Sequence, residues 1–447
     1  MRLISDIEIH SKYSRACSPA LTPENIGKWA DIKGVQLIGT GDFTHPKWIE
    51  ELKAALEPAE EGLYKLRNPL PSPPHKGEGN NKKNPSLQVG EARWGGNVRF
   101  ILSAEISCIF SQGGKLRRVH LLCYSPSFAS VEKFNKLLAD KGAKLAGDGR
   151  PILGMSCAET LKYLKDADSQ NQMVPAHVWT PYFGIFGSKS GFDSIDEAFG
   201  EQAKEIFAIE TGLSSDPAMN YRLSRNDRLT LVSSSDAHSL PRIGREANVM
   251  EIPESELSYG EFMRIIREKD TDRFKFTIEY FPEEGKYHMD GHRDCGLAAT
   301  PKETEKYGGR CPKCGRKITV GVLSRVEELA DRGYGEEPKN AIPGKHLVPL
   351  EEVLAECAGK GVKTKTVQGL YWQLIEKAGN EFAVILDMPI GELKKVAGET
   401  VAEAVKRVRE EKVNPIPGYD GEYGVIKIFT DEEREHFLGK GRQKSLF

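Results

Sequence analysis

The sequence predicts an α/β fold of barrel type over residues 1–282, and three observations carry that expectation. Short apolar runs alternate with helical stretches from the amino terminus onward. The runs end in carboxylates and imidazoles, the position where barrel folds gather their chemistry. Past Pro282 the alternation stops and the composition changes.

Residues 2–6 and 35–39 are apolar runs, and Thr22-Pro23 opens a helix between them with a capping pattern and proline at its first position. Strand, helix, strand at this spacing implies parallel pairing. Residues 68–97 break the pattern: Pro, Gly, Asn and Lys dominate from Pro69 to Asn84. That composition predicts a disordered insertion, with His75 a solvated bystander. Strands resume at 98–103, 119–123, 173–177, 206–210, 230–234 and 274–278, with helices at 157–164 and 259–267 among them. Residues 283–335, rich in Gly, Cys, Lys and Arg, read as a small module. Residues 336–430 read as a helical domain with amphipathic segments at 349–356, 366–378 and 400–411 and a short closing strand, and 431–447 as a flexible tail.

A chain of 447 residues exceeds one compact core, which agrees with several domains. The net charge of -2 argues against a broadly basic nucleic-acid binder but leaves room for a local basic groove. Eight cysteines in so long a chain do not form a disulfide framework, so a cluster of them predicts metal ligation. The amino terminus lacks a signal-peptide pattern and no apolar stretch is long enough for a membrane span, so a cytoplasmic protein is expected.

The strand-end residues are Asp6, Glu8 and His10; Asp42 and His45; Glu105; His120; His177; and Asp236 and His238. Asp6 and Asp42 also suit turn capping. Recurrence of imidazole and carboxylate at strand after strand predicts a cluster of divalent ions, which can activate water and hold a phosphate. A second constellation, His292-Arg-Asp-Cys295 and Cys311-Pro-Lys-Cys314, sets two close pairs fifteen residues apart. Four nitrogen and sulfur ligands satisfy a closed tetrahedral zinc site, with His288 an alternative to His292. Lys313, Arg316 and Lys317 around it face either phosphates or solvent.

The motifs Asp6-Ile-Glu-Ile-His10, Gly41-Asp-Phe-Thr-His45, Ser103-Ala-Glu105, His120, Pro175-Ala-His177 and Ser235-Asp-Ala-His238 resemble the ordered motifs of the polymerase and histidinol phosphatase (PHP) superfamily. The resemblance implies a distorted seven-stranded barrel with two or three divalent metals (Zn, Mn, Mg or Fe). It puts forward Glu8, His10, Glu105, His120, His177, Asp236 and His238 as ligands, with Glu105 bridging and Asp236, Glu105 and His10 central to catalysis. Two departures stand out. Glu8 replaces the first histidine of the family's His-x-His, and Phe43 follows Asp42 where the family has histidine, leaving Asp42 or His45 for that ligand.

Together with the His/Cys module, Gly321-Val-Leu-Ser-Arg-Val-Glu-Glu-Leu-Ala-Asp-Arg332, His10-Ser-Lys-Tyr-Ser-Arg15 and Pro417-Gly-Tyr-Asp-Gly-Glu-Tyr423, nearly the whole chain resembles the endonuclease Q family. This implies a DNA repair endonuclease cutting 5′ to deaminated bases (hypoxanthine, uracil, xanthine) or abasic sites by metal-activated water. A base so recognised is extruded, and Trp179, Tyr182, Phe183 and Phe186 are the expected stacking wall. Arg117, Arg118, Arg222, Arg225 and Arg228 are candidate backbone contacts. The terminal Gln443-Lys-Ser-Leu446-Phe447 resembles the bacterial sliding-clamp peptide, an extended segment with apolar anchors. Two other readings explain part of the sequence: a small-molecule phosphatase of histidinol-phosphatase type, and a non-catalytic DNA-binding scaffold with a degenerate metal site.

Overall fold

The computed structural model describes residues 1–71, 93, 94 and 96–434. Seven strands form a ring: β1 (Arg2–Asp6), β2 (Leu37–Gly39), β3 (Arg99–Gln112), β4 (Lys115–Ser125), β5 (Gln172–Pro175), β6 (Ala208–Glu210) and β7 (Thr230–Val232). β1, β2 and β3 pair in parallel, β4 returns antiparallel between β3 and β5, and β6 pairs in parallel with β7. Two seams complete the ring. Val178 N–H donates to Glu210 O at 3.1 Å, and Ile9 bridges Ala237 in parallel where β1 and β7 run on past their regular ends. The fold is thus an α/β, PHP-type distorted barrel.

Helices cover the ring. In α1 (Pro23–Lys33) the Thr22 hydroxyl accepts from Asn25 N–H, and Gly34, at φ 89°, ends the helix in the left-handed conformation. α2 (Pro46–Ala55) follows β2, α3 (Phe128–Asp140) and α4 (Cys157–Ala167) follow β4, and α5 (Tyr259–Arg267) buries one apolar face. The long β3–β4 hairpin turns on Gly113 and Gly114, both at positive φ.

The stretch expected to be a disordered insertion is anchored at its ends, where Leu70–Pro71 pairs with Arg93–Trp94. Residues 72–92, including His75, and residue 95 lie outside the described residues.

β8 (Ala247–Glu251) adds to the free side of β1, β9 (Phe274–Glu279) adds to β8, and β10 (Gly344–His346) lies parallel to β9. The His/Cys module is therefore an excursion between two neighbouring strands. Helices at Leu350–Ala358, Lys365–Ala378, Ile390–Ala397 and Glu399–Arg409 form the carboxyl-terminal region. They pack on the barrel through a buried pair, Lys33 Nζ to Glu381 Oε2 at 2.6 Å, which Tyr371 Oη and Leu350 N–H complete. Among the described residues, no helix is long and apolar enough to cross a membrane.

Candidate metal centre and adjoining cavity

The β1–β7 seam creates the site. Asp236 N–H donates to Glu8 O and His10 N–H to Ala237 O, both at 3.1 Å, so two strand ends present their side chains together. Asp42, His177 and Asp236 all sit at positive φ (50°, 27° and 46°), strain that clusters where the strands end.

Two trios of donor atoms converge there, each within 4.8 Å: His10, Asp236 and His238, and Glu105, His120 and His177. Glu105 touches both. Its Oε1 lies 2.5 Å from His120 Nδ1 and 3.1 Å from His177 Nε2, while its Oε2 lies 3.3 Å from His10 Nε2. His10 Nε2 is also 3.1 Å from Asp236 Oδ1. Arg150 donates to Glu105 Oε2 at 2.7 Å.

Burial opposes charge on every acid here, and the neighbours decide the outcome. Glu105 is held well below the usual carboxylate range because His120 and Arg150 outweigh its desolvation. Asp236 is lowered against burial by His10. Glu8 is pushed well above its ordinary value by burial and then by Glu210, Asp236 and Glu105. Burial lowers His120 to about 4. Both Glu8 oxygens are buried without a hydrogen-bond partner, and His10 Nε2 and Asp236 Oδ1, in ion-pair contact at 3.1 Å, make no aligned hydrogen bond. Imidazoles and carboxylates with unsatisfied lone pairs, gathered out of water, suit divalent cations.

Asp42 and His45 join neither trio. Asp42 Oδ1 lies 3.1 Å from His10 Nδ1, and its Oδ2 accepts from Ser11 N–H, Ser11 Oγ and Ser14 Oγ at 2.6–2.9 Å. It orients the imidazole with Nε2 toward the cluster. His45 stacks on Tyr13, ring centroids 4.3 Å apart, and begins α2. Asp6 accepts from Ser235 and Gly244 N–H, a turn-holding role.

The expected aromatic wall is corrected by half. Trp179 and Phe186 are 1% and 0% exposed, pack on each other at 5.1 Å, and Trp179 Nε1 donates to Asn220. Rings so enclosed belong to the core and have no face left for a base. Tyr182, 45% exposed, and Phe183, which lies 4.3 Å from the His120 ring, line a cavity of about 230 Å³ beside the trios. The arginine expectation also narrows. Arg117 pairs with Glu197, Arg222 with Glu327, and Arg228 donates to the Ile206 and Ala203 carbonyls.

Two residues at the site were not anticipated. Glu210 ends β6, is fully buried, lines the cavity and accepts from His177 N–H at 2.8 Å. Its strand-end carboxylate was the available signal. Arg150 stands on a loop, where nothing in its neighbours marks it.

In the module, His292, Cys295, Cys311 and Cys314 bring four ligand atoms within 4.8 Å. A hairpin, Asp290–His292 with Leu297–Ala299, carries the first two, and a turn with Gly315 at φ 74° folds Cys311 N–H onto Arg316 O. His288 lies outside this group. The proposed clamp residues Gln443, Leu446 and Phe447 lie outside the described residues.

A family model described as the MJ0043 C-terminal domain matches residues 349–412. MJ0043 of Methanocaldococcus jannaschii is 36% identical over 252 residues, 56% of this chain and 31% of its own length, so the chain spans about a third of that relative. YqxK of Bacillus subtilis is 27% identical over 401 residues, 89% of this chain and 90% of its own. Among solved structures, the lesion-specific endonuclease PfuEndoQ from Pyrococcus furiosus superposes with a TM-score of 0.80 at 29% identity, covering 97% of this chain and 98% of that one. An endonuclease Q bound to a 27-mer duplex substrate with an abasic lesion at its active site superposes at 0.79 with 30% identity and the same coverage.

Proposed function

The chain belongs to the endonuclease Q family, and from that premise we propose that it is a DNA repair endonuclease hydrolysing the phosphodiester 5′ to deaminated bases or abasic sites. The observation that carries this reading is Glu105 joining two trios of metal-ligand type on a fold shared, along its whole length, with a nuclease holding abasic-lesion DNA.

Glu105, His120 and His177 would hold one divalent ion and His10, Asp236 and His238 another, with Glu8 lining the adjoining cavity. When bound, such ions supply an activated water and neutralise charge on the phosphate. Asp42 keeps the His10 ring aimed, and Arg150 places a fixed positive charge at the edge of the cluster. Tyr182 and Phe183 offer ring faces to an extruded base. The products are a 3′-hydroxyl and a 5′-phosphate. His292, Cys295, Cys311 and Cys314 would hold a structural zinc, since four nitrogen and sulfur donors complete a tetrahedral shell. The terminal Gln443–Phe447 peptide is assigned to a sliding clamp on its sequence alone.

The test is incubation with duplexes each carrying uracil, hypoxanthine, xanthine or an abasic site, with Mg²⁺ or Mn²⁺, beside a small phosphomonoester. The wild type nicks the lesion duplexes and Asp236→Ala, still folded, does not. Hydrolysis of the phosphomonoester without nicking would transfer the chain to the phosphatases.

A further inference from the structure

Two further carboxylates, Glu246 and Glu279, are fully buried where the barrel meets its sheet extension. β8 and β9 run antiparallel with Ala247 opposite Ile278, so Glu246 and Glu279 face each other one step further along. Tyr280 N–H donates to Glu246 Oε1 at 3.2 Å, which fixes the Glu246 carboxylate beside Glu279. Like charges opposed across a ladder repel, and burial adds to the cost.

Each carboxylate is held at one oxygen and left free at the other. Glu279 Oε2 accepts from the hydroxyls of Thr211 at 3.0 Å and Ser233 at 3.3 Å, just past the ends of β6 and β7. Among the described residues, Glu279 Oε1 and Glu246 Oε2 have no hydrogen-bond partner. Thr277, also fully buried, shares a face of β9 with Glu279. Its hydroxyl stands close enough to favour the charged form of Glu279, yet makes no aligned hydrogen bond. The neighbouring cations are engaged elsewhere. Arg245 Nε donates to the Ser235 carbonyl at 2.8 Å, and His346 lies between Asp216 and Glu411.

A proton or a cation can relieve such a pair. Burial favours the proton by pushing both carboxyls up, Glu279 to about 8. One proton, however, serves only two of the three free oxygens and leaves the third unmatched. A cation takes all three, and the hydrogen bonds on the opposite oxygens are of the kind that orient metal-ligating carboxylates. Donors of oxygen alone select a hard cation over zinc, and two carboxylates balance a double positive charge.

We infer that Glu246, Glu279 and Thr277 form a binding site for a hard divalent cation, Mg²⁺ or Ca²⁺, which joins the barrel to its sheet extension. The site uses no residue of the trios and does not depend on the nuclease reading.

The experiment loads the full-length protein with Zn²⁺ to fill the imidazole and thiolate sites, removes the excess, and dialyses it against Ca²⁺ or Mg²⁺. Bound ion per chain and Tm are measured for wild type, Glu246→Gln, Glu279→Gln, Thr277→Val and Asp236→Ala. Wild type takes up about one further ion, and its Tm climbs with ion concentration. The arm with the tighter uptake identifies the ion. Both Gln variants lose the further ion and the Tm rise, and Asp236→Ala keeps them. Thr277→Val, which preserves shape and both charges, binds the ion roughly tenfold more weakly. No further ion in the wild type with either metal overturns the proposal and leaves the pair to a proton. Retention by both Gln variants, or loss in Asp236→Ala, overturns it by placing the ion elsewhere. Should a Gln variant not fold, unchanged affinity in Thr277→Val overturns it.

Discussion

Asp42 shows how a buried residue outside the trios controls one inside them. Burial works to raise its carboxyl, yet His10 and the Ser11 bonds hold it below its ordinary value, so it stays ionised behind the imidazole. Asp42→Asn keeps the shape and removes the charge. A ten- to hundredfold loss of metal affinity or nicking rate is expected, of the order seen for partners behind metal ligands. Metal titration of the purified variant checks this, and unchanged affinity would reduce Asp42 to a turn residue. The strand-end pattern made His10, Glu105, His120, His177, Asp236 and His238 legible before any geometry. It left Asp42 and His45 undecided because the choice depends on which way each side chain points. Glu210 passed unnoticed because it stands in no recognisable motif. Trp179 and Phe186 were misread because spacing in a loop does not separate rings that fill a core from rings that face a cavity.

At the level of elements, a buried arginine ties the His/Cys module to the loop beside the cavity. Arg325, on the helix Val322–Leu329, donates to the Phe186 and Phe192 carbonyls at 3.0 and 3.1 Å while only 8% exposed. The module thereby braces the loop that presents Tyr182 and Phe183. Cys311→Ser should release about one metal ion per chain and lower Tm, because metal binding in such modules is coupled to folding. Elemental analysis with thermal unfolding checks it; full metal content would place the ion elsewhere. Helices with clear caps and apolar faces were legible to within a few residues: 259–267 matches Tyr259–Arg267, and 366–378 falls inside Lys365–Ala378. β8 was not anticipated, since Ala247-Asn-Val-Met-Glu251 mixes polar and apolar residues and owes its pairing to β1. The seven-stranded ring depends on seams between strand extensions, which local sequence does not display.

Across the whole molecule, β10 stitches the carboxyl-terminal region to the barrel sheet. His346 on it lies 3.2 Å from Asp216 of the barrel and 3.2 Å from Glu411 beyond the last long helix. Burial works to lower its pKa, but the two carboxylates prevail and raise it from 6.5 to about 10. The stabilisation from this raised value is complete below about pH 6.5 and is lost as pH rises through about 10. The Tm deficit of His346→Gln should therefore be largest near pH 6 and shrink toward pH 10. A deficit independent of pH would assign it to packing instead. The central claim, that this barrel cuts DNA beside a damaged base, is tested most directly by mapping the nick in an end-labelled duplex with one uracil. The account predicts a single metal-dependent cut on the 5′ side of the uracil, leaving a 3′-hydroxyl and a 5′-phosphate. An intact strand, or a cut on the 3′ side, would contradict it.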